Sequence, residues 1–588
     1  MSDRAASVLA VAVCVGAWWA QAVPLVPAVL ALALALVLRR PALLIVAAAV
    51  LASALGARAW AGLVPPAAAP VAGEVVLLSD PVEVRGATKV DVGLGGRRVE
   101  AWARGRAAAV LAPRLAGERV VVEGRLRPPP PEARAWLARR HVSARLSVDG
   151  AGPWRPGNLA SRAANALRHT LVAGARPLAA EQRALLTGMV FGDDRDQSVA
   201  VADDFRAAGL THLLAVSGQN VAFVLVLAGP GLRRLGLGGR WAASLAVIAF
   251  FGVVTRWEPS VLRASAMAAL AVTATGLGRP ASRRRLLALA VAGVVLVDPL
   301  LVHSVGFRLS VGASAGILAL AGPLARRLPG PRWLAEGLAV TLAAQVGVAP
   351  VLVPTFGGLP LASVPANLLA VPAAGPLMIW GLTAGLVAGV AGPPLDGVLH
   401  LPTSWLLAWV AGVARGAADL PLGRLELAHL LALGVVAVSV VVGRQRLPTV
   451  VPAAGLAAAA LVVLAPAWAA GGGGGPATEP ARGAELWRAG AVVLVLDDPD
   501  PAALLEGLRS EGVRRLDVVV ARRGSAPVAS SVLLLRARLP VGVVLAPEDH
   551  RIRDAVVPDE GSVVEVGDLE LDVVRTDGPL EVQVRRSP

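Results

Sequence analysis

Long apolar runs separated by short polar loops dominate this chain. Three runs precede residue 65 and ten more follow residue 205. Most are close to the about 20 residues that a tilted helix needs to cross a bilayer, so the pattern predicts about 13 membrane spans. The predicted spans are residues 6–22, 24–38, 41–63, 211–227, 241–255, 261–277, 286–302, 307–323, 334–354, 361–390 (long enough for two), 395–413, 427–442 and 450–469.

Two segments outside these runs predict soluble structure. Residues 70–150 alternate apolar and polar positions in short stretches broken by Gly and Pro, which favours about five strands in a small OB-like β-barrel. Residues 151–205 have helical spacing but many polar groups, so we expect helices at the outer membrane interface. A Gly/Pro-rich linker at 471–480 precedes residues 481–588, whose pattern predicts a separate α/β domain.

Composition and charge give the fold class and its orientation. Hydrophobic residues make up 55% of the 588 residues and mean hydropathy is +0.65, which excludes a soluble globular protein of this length. The arginines near the first spans, Arg4, Arg39 and Arg40, place the N-terminus inside. We therefore predict a polytopic α-helical protein of the cytoplasmic membrane, in which residues 1–65 and 206–470 hold the spans. The β-barrel and the C-terminal α/β domain then lie outside.

Several polar residues fall inside predicted spans, where hydrocarbon penalises them unless they face a cavity or a partner. They line an aqueous path or join helices to one another, and the pattern leaves both readings open. The residues predicted to follow a conducting path are His212, Ser217, Gln219, Asn220, Arg263, Gln345 and Asn367.

Arg263 is the most costly of these groups because it carries a charge just inside a predicted span. A buried guanidinium needs an acid or an anion beside it. Glu258, Asp298 and a phosphate group are the candidates.

Basic residues in the two soluble segments suit phosphate groups, although a solvated basic face explains them as well. The predicted external contacts are Arg97, Arg98 and Arg104 in the barrel, and Arg522 and Arg523 in the C-terminal domain.

Six motifs, taken in order, resemble the ComEC family. They are FGDD at 191–194, GLTHLLAVSGQNVAF, EPSVLRASAM, GRPASRRRLLALA followed by DP, GFRLSVGASAGIL, and AAQVGVAPVLVPTFGG with NLLAVP, within about residues 185–372. The resemblance implies a channel that moves single-stranded DNA across the cytoplasmic membrane during natural competence. It also implies an external DNA receptor, a separate nuclease and a cytoplasmic ATP-dependent motor as partners, with membrane lipid around the spans.

Two departures from that family change what is expected here. Where members often carry SGxH, this chain has an amide at Asn220, which removes a titratable ring. The family's C-terminal domain resembles a metallo-β-lactamase, yet here the strand at 516–520 runs into ARRGSAPVAS, which lacks the metal-binding imidazoles and carboxylates. We therefore predict no catalytic residue, no metal, no cofactor and no enzyme activity.

Two other functions compete with the channel. A secondary transporter of a small anionic or lipid-linked solute also uses broken helices and an intramembrane arginine. A homologue that has lost transport is the other alternative, suggested by the missing metal ligands. The two external domains favour the channel, since a carrier of small solutes has no need of them.

Overall fold

The computed structural model describes residues 2–84, 86–214, 216, 218–278, 281–420, 422–443, 450–469 and 477–587. These residues form two compact units. The first contains Met1–Asp196, His212–Thr355 and Leu368–Val410, and the second contains Gln197–Thr211, Phe356–Asn367 and Ala411–Pro588. The units differ from the domains predicted from the sequence, because two short segments join the C-terminal region in the second unit.

Most of the chain is helical. The helices are α1 (Asp3–Trp19), α2 (Leu25–Leu38), α3 (Pro41–Ala61), α4 (Gly105–Leu111), α5 (Pro131–Ala138), α6 (Leu159–Gly174), α7 (Ala180–Phe191), α8 (Val199–Ala207), α9 (Thr211–Leu214), α10 (Gly218–Leu232), α11 (Leu237–Val254), α12 (Pro259–Gly276), α13 (Arg283–Val297), α14 (Val305–Gly316), α15 (Gly322–Ala325), α16 (Arg332–Phe356), α17 (Ser363–Ala391), α18 (Leu395–Leu399), α19 (Leu401–Ala418), α20 (Leu427–Gly443), α21 (Val450–Ala469), α22 (Pro501–Ser510) and α23 (Ala526–Arg538). A 3-10 turn at Pro299–His303 follows α13, and a π-helical turn at Ile317–Ala321 joins α14 to α15.

Five helices of the described chain are long and apolar enough to cross a membrane. They are Pro41–Ala61, Leu237–Val254, Val305–Ala325 (α14 to α15), Arg332–Phe356 and Ser363–Ala391. The chain is therefore built as a membrane protein, while the total of about 13 spans stays a prediction. The run at 361–390, which has the length of two spans, forms the single helix α17.

The single membrane helix predicted at 211–227 is wrong. Helix α9 ends at Leu214 and α10 begins at Gly218, and Val216 belongs to neither. The carbonyl of Val216 accepts a hydrogen bond of 2.7 Å from the Ser260 hydroxyl. A side chain of another helix thus satisfies a backbone group that an unbroken helix would have paired internally.

A closed β-barrel follows α3. Its strands are β1 (Ala69–Leu77), β2 (Val82–Val84), β3 (Ala87–Leu94), β4 (Arg97–Ala103), β5 (Arg119–Arg127) and β6 (Val142–Arg155), in the order β1-β5-β6-β4-β3-β2. Because β1 also pairs with β3, five strands close into a ring, in which β4 and β6 are parallel and the other pairs antiparallel. The alternating apolar residues, Val75, Val90, Val120 and Leu146 among them, fill its core.

Glycines bring α14 and α16 into backbone contact. A side chain at Gly316 would overlap the carbonyl of Ala343, and one at Gly347 would overlap the carbonyl of Gly312. Small residues at this spacing allow membrane helices to approach closely. The contact fixes α16, the helix that carries Gln345, beside α14.

The C-terminal part of the second unit is a layered α/β structure. Its strands are β9 (Ala477–Ala481), β10 (Ala484–Ala489), β11 (Ala491–Leu496), β12 (Leu516–Ala521), β13 (Val541–Leu545), β14 (Val563–Val566), β15 (Leu569–Arg575) and β16 (Glu581–Arg586). A five-stranded sheet in the order β13-β12-β11-β10-β9 packs α22 and α23 on one face and the sheet β14-β15-β16 on the other. Residues 477–480, predicted as linker, belong to β9, and 471–476 lie outside the described residues.

Helix α8 separates from the other predicted interface helices. Its Asp203 carboxylate lies 2.7 Å from the Arg509 guanidinium of α22, and Asp204 lies 2.7 Å from Arg538 of α23. Both carboxylates are buried. These ion pairs hold α8 to the C-terminal domain, while α6 and α7 lie in the first unit. Residues 151–205 do form helices, and their position at the outer membrane interface stays a prediction. Within the second unit a two-residue strand β7 (Leu359–Pro360) also pairs with β8 (Arg424–Leu425).

Candidate functional site

Three of the sequence motifs meet in the first unit, where α7, the break before α10 and the start of α12 come together. The Asn220 amide at the start of α10 donates a hydrogen bond of 3.0 Å to the carbonyl of Met189 in α7. The Ser260 hydroxyl of α12 holds Val216 in the break. These contacts assemble the described parts of FGDD, SGQN and EPS into one cluster, which we call the motif junction (residues 189–194, 216, 218–220 and 258–263).

Glycine is required at Gly192 in this junction. Its φ is +76°, a left-handed conformation that L side chains rarely adopt. A Cβ at this position would stand 2.9 Å from Oε1 of Glu258. The Glu258 carboxyl therefore rests against the backbone of the FGDD turn, and the absence of a side chain at Gly192 makes room for it.

Arg263 extends the junction to α14. Its Nε donates to the Ser310 hydroxyl at 2.8 Å, and its Nη1 lies 3.2 Å from the sulfur of Met267. Its guanidinium also lies at the beginning of α10, where a Cβ on Gly218 would stand 3.0 Å from Nη2. Arg263 is buried and forms no ion pair with an acidic residue of the described chain.

The prediction that Glu258 or Asp298 pairs with Arg263 is therefore wrong. Asp298 lies 3.0 Å from Nε2 of His141, a residue of the barrel. Glu258 lies against Gly192 instead. Within the described residues the guanidinium contacts neutral groups, and no acidic side chain among them balances its charge.

A network of buried ion pairs, which we call the junction network (Asp80, Asn165, Arg168, Asp193, Arg195 and Arg256), adjoins the motif junction. Nη2 of Arg168 lies 2.8 Å from Asp80 and 2.7 Å from Asp193, and its Nη1 donates to the carbonyl of Val254 at 3.1 Å. Arg256 bridges Asp80 and Asn165, at 2.9 and 2.8 Å, and Arg195 grips Asp193 with two bonds of 2.7 Å. The network links the barrel, through the loop after β1, to α6, α7 and the end of α11.

The arginine and aspartate charges in this network compensate one another. Burial alone would raise the pKa of Asp80, but the guanidinium charges of Arg168 and Arg256 outweigh it and hold that pKa below its usual range. Burial would likewise raise the pKa of Asp193, and hydrogen bonds from Arg195 together with the charge of Arg168 lower it. Both acids are therefore ionised at neutral pH, as the arginines around them require.

The pKa of Glu258 is shifted in the opposite direction from those of Asp80 and Asp193. Burial, with a smaller contribution from the charge of Asp194, raises the pKa of Glu258 to about 7. Its position at the end of the α11–α12 connection lies outside the helices that are long enough to cross the membrane. The carboxyl next to the FGDD turn thus changes charge close to neutral pH.

The other predicted path residues are placed as follows. Asn367 donates to the carbonyl of Ser363 in its own helix at 2.7 Å, and it belongs to the second unit. Gln345 is half-buried on α16, two residues before the Gly347 contact. His212 and Gln219 are exposed, and Ser217 lies outside the described residues. The side-chain amides of Asn220 and Asn367 donate hydrogen bonds to helix carbonyls. Such contacts are typical of helix packing, the alternative to an aqueous path that the sequence pattern leaves open.

An apolar cavity lies beside the motif junction. It has a volume of about 340 Å³ and is lined by apolar side chains of five helices. The lining includes Leu167, Phe191, Val224, Phe250 and Leu382. Phe191, the first residue of FGDD, therefore separates this apolar space from the Arg168 guanidinium, which lies 5.2 Å from its ring.

The predicted external arginines differ in their surroundings. In the barrel, Arg97 donates to the carbonyl of Val64 at 2.9 Å and Arg98 lies 3.2 Å from the buried Asp91, while Arg104 is exposed. In the C-terminal domain, Arg522 and Arg523 line a cleft of about 390 Å³ at the end of the parallel strands. Arg523 lies 2.8 Å from Asp497, and Arg522 lies 3.7 Å from Glu485. No group of three or more metal-ligating side chains is found in the part of the chain described by the structure.

Sequence reasoning missed the junction network. FGDD was noted as a motif, but Asp80, Arg168 and Arg256 were not singled out as site residues, since they occur in a loop, an amphipathic helix and a helix connection. Arg256 and Trp257 both have positive φ, at 59° and 54°. Nothing in the local pattern predicts these two conformations, which are uncommon for residues other than glycine.

Comparison with known proteins agrees with the motif order. Residues 189–450 match the family model described as Competence protein, so the resemblance to the ComEC family is confirmed over this region. The chain is 27% identical over 228 residues to the uncharacterized protein YcaI of Escherichia coli (strain K12), a match that covers 36% of this chain and 30% of that protein. It is 25% identical over 302 residues to ComE operon protein 3 of Bacillus subtilis (strain 168), covering 50% of this chain and 38% of that protein.

The chain therefore spans about a third of the length of these curated relatives. No solved structure matches it.

Replacing the buried Arg168 should destabilise the first unit strongly. In Arg168→Gln the carboxylates of Asp80 and Asp193 lose their shared counter-charge while they remain buried, which costs about 3–5 kcal/mol. The free energy of unfolding, measured by denaturant titration of the purified protein in lipid nanodiscs, tests this. Arg162→Gln, an exposed arginine on the same helix, is the matched control and should change it little. Equal effects of the two changes would contradict the network's role.

Glu258 should make stability fall as the pH rises. Because its folded pKa of about 7 exceeds the ordinary 4.5, the unfolded chain releases this proton first, so stability decreases between about pH 4.5 and 7 and is level above. The slope is at most about 1.4 kcal/mol per pH unit.

In Glu258→Gln this contribution to the pH dependence should disappear. The measurement is the free energy of unfolding at several pH values from 4.5 to 8, compared with wild type. Glu132→Gln, at an exposed position of the barrel, should keep the wild-type slope. A slope unchanged by Glu258→Gln would show that this carboxyl titrates normally.

Proposed function

We propose that this chain moves single-stranded DNA across the cytoplasmic membrane during natural competence. The match of residues 189–450 to the Competence protein family and the likeness to ComE operon protein 3 support a role in DNA uptake. The observation that carries the step from uptake to strand passage is the buried Arg263, whose guanidinium lies at the start of a broken helix without an acidic partner among the described residues.

Arg263 suits a passing phosphate. A buried guanidinium held by a hydroxyl and a sulfur retains most of its capacity to attract an anion, and each nucleotide brings one negative charge. One such contact assists passage, whereas a row of cations would hold the strand too tightly to release it. Ser310 and the amides of the motif junction supply the weaker neutral contacts. His212, Ser217, Gln219, Gln345 and Asn367 remain proposed members of the path.

The barrel supports the same function. The five-stranded ring, with one parallel pair and a helix between its third and fourth strands, supports the OB-like assignment, and OB folds commonly bind single strands. We assign its exposed basic residues, Arg104 foremost, to contact with phosphate. Arg97 and Arg98 would contribute after exchanging their present partners.

We place the N-terminus inside and both soluble domains outside the membrane, following the distribution of arginines. Five helices suited to membrane crossing support a multi-pass arrangement, and the total of about 13 spans is part of the proposal. An external receptor and a separate nuclease would then present one strand. Because the sequence contains no Walker A motif, a cytoplasmic ATP-dependent motor or the membrane potential would supply the energy that draws it inward.

The C-terminal domain, in this proposal, contacts DNA without cutting it. Its layers, with helices on one face of the five-stranded sheet and a second sheet on the other face, support a truncated metallo-β-lactamase-like fold. The loop after β12 offers Arg522 and Arg523, which attract phosphate, in place of metal ligands. A secondary transporter of small anions remains the competing function, and the uptake experiment below separates the two.

Arg263→Ala should abolish DNA uptake while the protein stays folded in the membrane. The measurement is the conversion of labelled DNA into a nuclease-resistant form in a transformable host, whose own copy of the gene is replaced by the variant. Arg240→Ala, an exposed arginine at the start of α11, is the matched control and should leave uptake unchanged. Normal uptake in Arg263→Ala would exclude the proposed path, and normal uptake after deletion of the gene would exclude the function.

Purified protein should carry well under one equivalent of zinc or manganese and should not degrade DNA. The physical reason is the missing set of imidazole and carboxylate ligands after β12. Elemental analysis of protein prepared without chelators, followed by incubation of labelled single strands with added metal, tests both statements. Stoichiometric metal or metal-dependent cleavage by this chain would contradict the proposal for the C-terminal domain.

A further inference from the structure

An aromatic cluster lies in the first unit where the N-terminal helices meet the 3-10 turn. We call it the tryptophan cluster (Trp18, Trp60, His303 and Arg308). The Trp18 and His303 rings are 4.5 Å apart between centroids, and the Trp60 ring meets His303 edge-on at 5.4 Å. Trp18 is 55% exposed, so about half of its surface is accessible to a ligand.

Two arginines, Arg308 and Arg139, lie near these rings. The Arg308 guanidinium lies 5.9 Å from the Trp18 ring. Burial and the nearby charges of Arg139 and Arg308 lower the pKa of His303, so this ring is neutral at pH 7 and behaves as a flat stacking surface. Arg139 belongs to the barrel, just after α5, which places a barrel cation within electrostatic reach of the cluster.

A specific contact holds the barrel to this place. Asp298, which caps the 3-10 turn that carries His303, lies 3.0 Å from Nε2 of the barrel residue His141. Next to it, the Arg140 guanidinium covers the Trp136 ring at 4.7 Å, and Trp136 is 51% exposed. The exposed ring of Trp136 and the tryptophan cluster therefore flank one connection between the barrel and the helices.

Two polar atoms of the cluster lack partners. Nε2 of His303 and Nε of Arg308 are shielded from solvent and have no hydrogen-bond partner within the described residues. Leaving such groups unpaired costs free energy, so a ligand with hydrogen-bonding groups would gain by binding here.

Tryptophans near a membrane surface often serve as lipid anchors. Anchoring requires a ring at headgroup depth, but it requires neither a second ring and an imidazole beside it nor shielded, unpaired nitrogens below it. Aromatic rings interleaved with arginines are the arrangement that proteins use for single-stranded nucleic acid, because every base offers a flat face and every nucleotide a charge.

We propose that the tryptophan cluster is a nucleobase-stacking site that holds a single DNA strand at the connection between the barrel and the helices. Trp18 stacks on a base, His303 and Trp60 support its ring from behind, and Arg308 and Arg139 contact the adjacent phosphates. This inference rests on the proposed function and adds to it the part of the strand that is recognised, the base in addition to the phosphate.

Trp18→Ala should weaken binding of a single-stranded oligothymidine of about 20 nucleotides by about tenfold, the usual effect of removing one stacking ring. The measurement is fluorescence anisotropy with the full chain in lipid nanodiscs. An abasic strand of equal length, which has the same charge and no bases, should bind wild type and Trp18→Ala equally. Trp18→Phe should recover most of the affinity, and Trp60→Ala should reproduce the loss in part.

Trp333→Ala is the matched control, since Trp333 is 70% exposed and lies outside the cluster, and it should bind oligothymidine as wild type does. Unchanged oligothymidine binding in both Trp18→Ala and Trp60→Ala would overturn the stacking site and leave the proposed function intact. An equal loss for the abasic strand would overturn it too, because it would indicate lipid anchoring or altered folding. Failure of the wild-type chain to bind any single strand would instead count against the proposed function itself.

Discussion

The burial of Arg168 between Asp80 and Asp193 is the interaction on which the first unit depends. Its side chain is 3% exposed, so its charge has almost no water and relies on these two carboxylates and the carbonyl of Val254. The partners come from the barrel, the FGDD turn and the end of α11. Since a buried charge tolerates no missing partner, these three elements take their positions together, and the motif junction forms only where they meet.

Two buried arginines of the first unit, Arg168 and Arg263, differ in whether neighbouring acids compensate their charge. Arg168 is compensated by two acids, Asp80 and Asp193. Arg263 is held by the Ser310 hydroxyl and the Met267 sulfur, which position it but do not neutralise it. Desolvation is costly for both, so a membrane protein that keeps the second arginine uncompensated has a use for its charge. In the function proposed above, that use is attraction of an anion.

Local patterns in the sequence predicted what local forces decide. Period-two alternation predicted barrel strands such as β5, whose side chains alternate between core and solvent, and long apolar runs predicted the helices. Contacts between distant residues were not accessible: Arg168 is 88 residues from Asp80, and neither shows a pattern of its own. The helix break at Val216 likewise depends on the Ser260 hydroxyl, 44 residues away. Apolar spacing therefore predicted one helix where two exist.

The hydrogen bonds of the amides on the predicted path are weak, so they are compatible both with helix packing and with the passage of a DNA strand. A neutral hydrogen bond such as that from Asn220 to Met189 contributes only about 0.5–1.5 kcal/mol net, so a passing strand that offers its own donors and acceptors can replace it at little cost. The ion pairs of Arg168 cannot be exchanged in this way. In the proposed function, an opening in the first unit would run along α10, α12 and α14, where the hydrogen bonds of Asn220, Ser260 and Arg263 go to neutral partners, while the junction network keeps the barrel fixed. The ion pairs of the junction network fix the positions of the elements that they join, and the neutral hydrogen bonds are the contacts that can exchange.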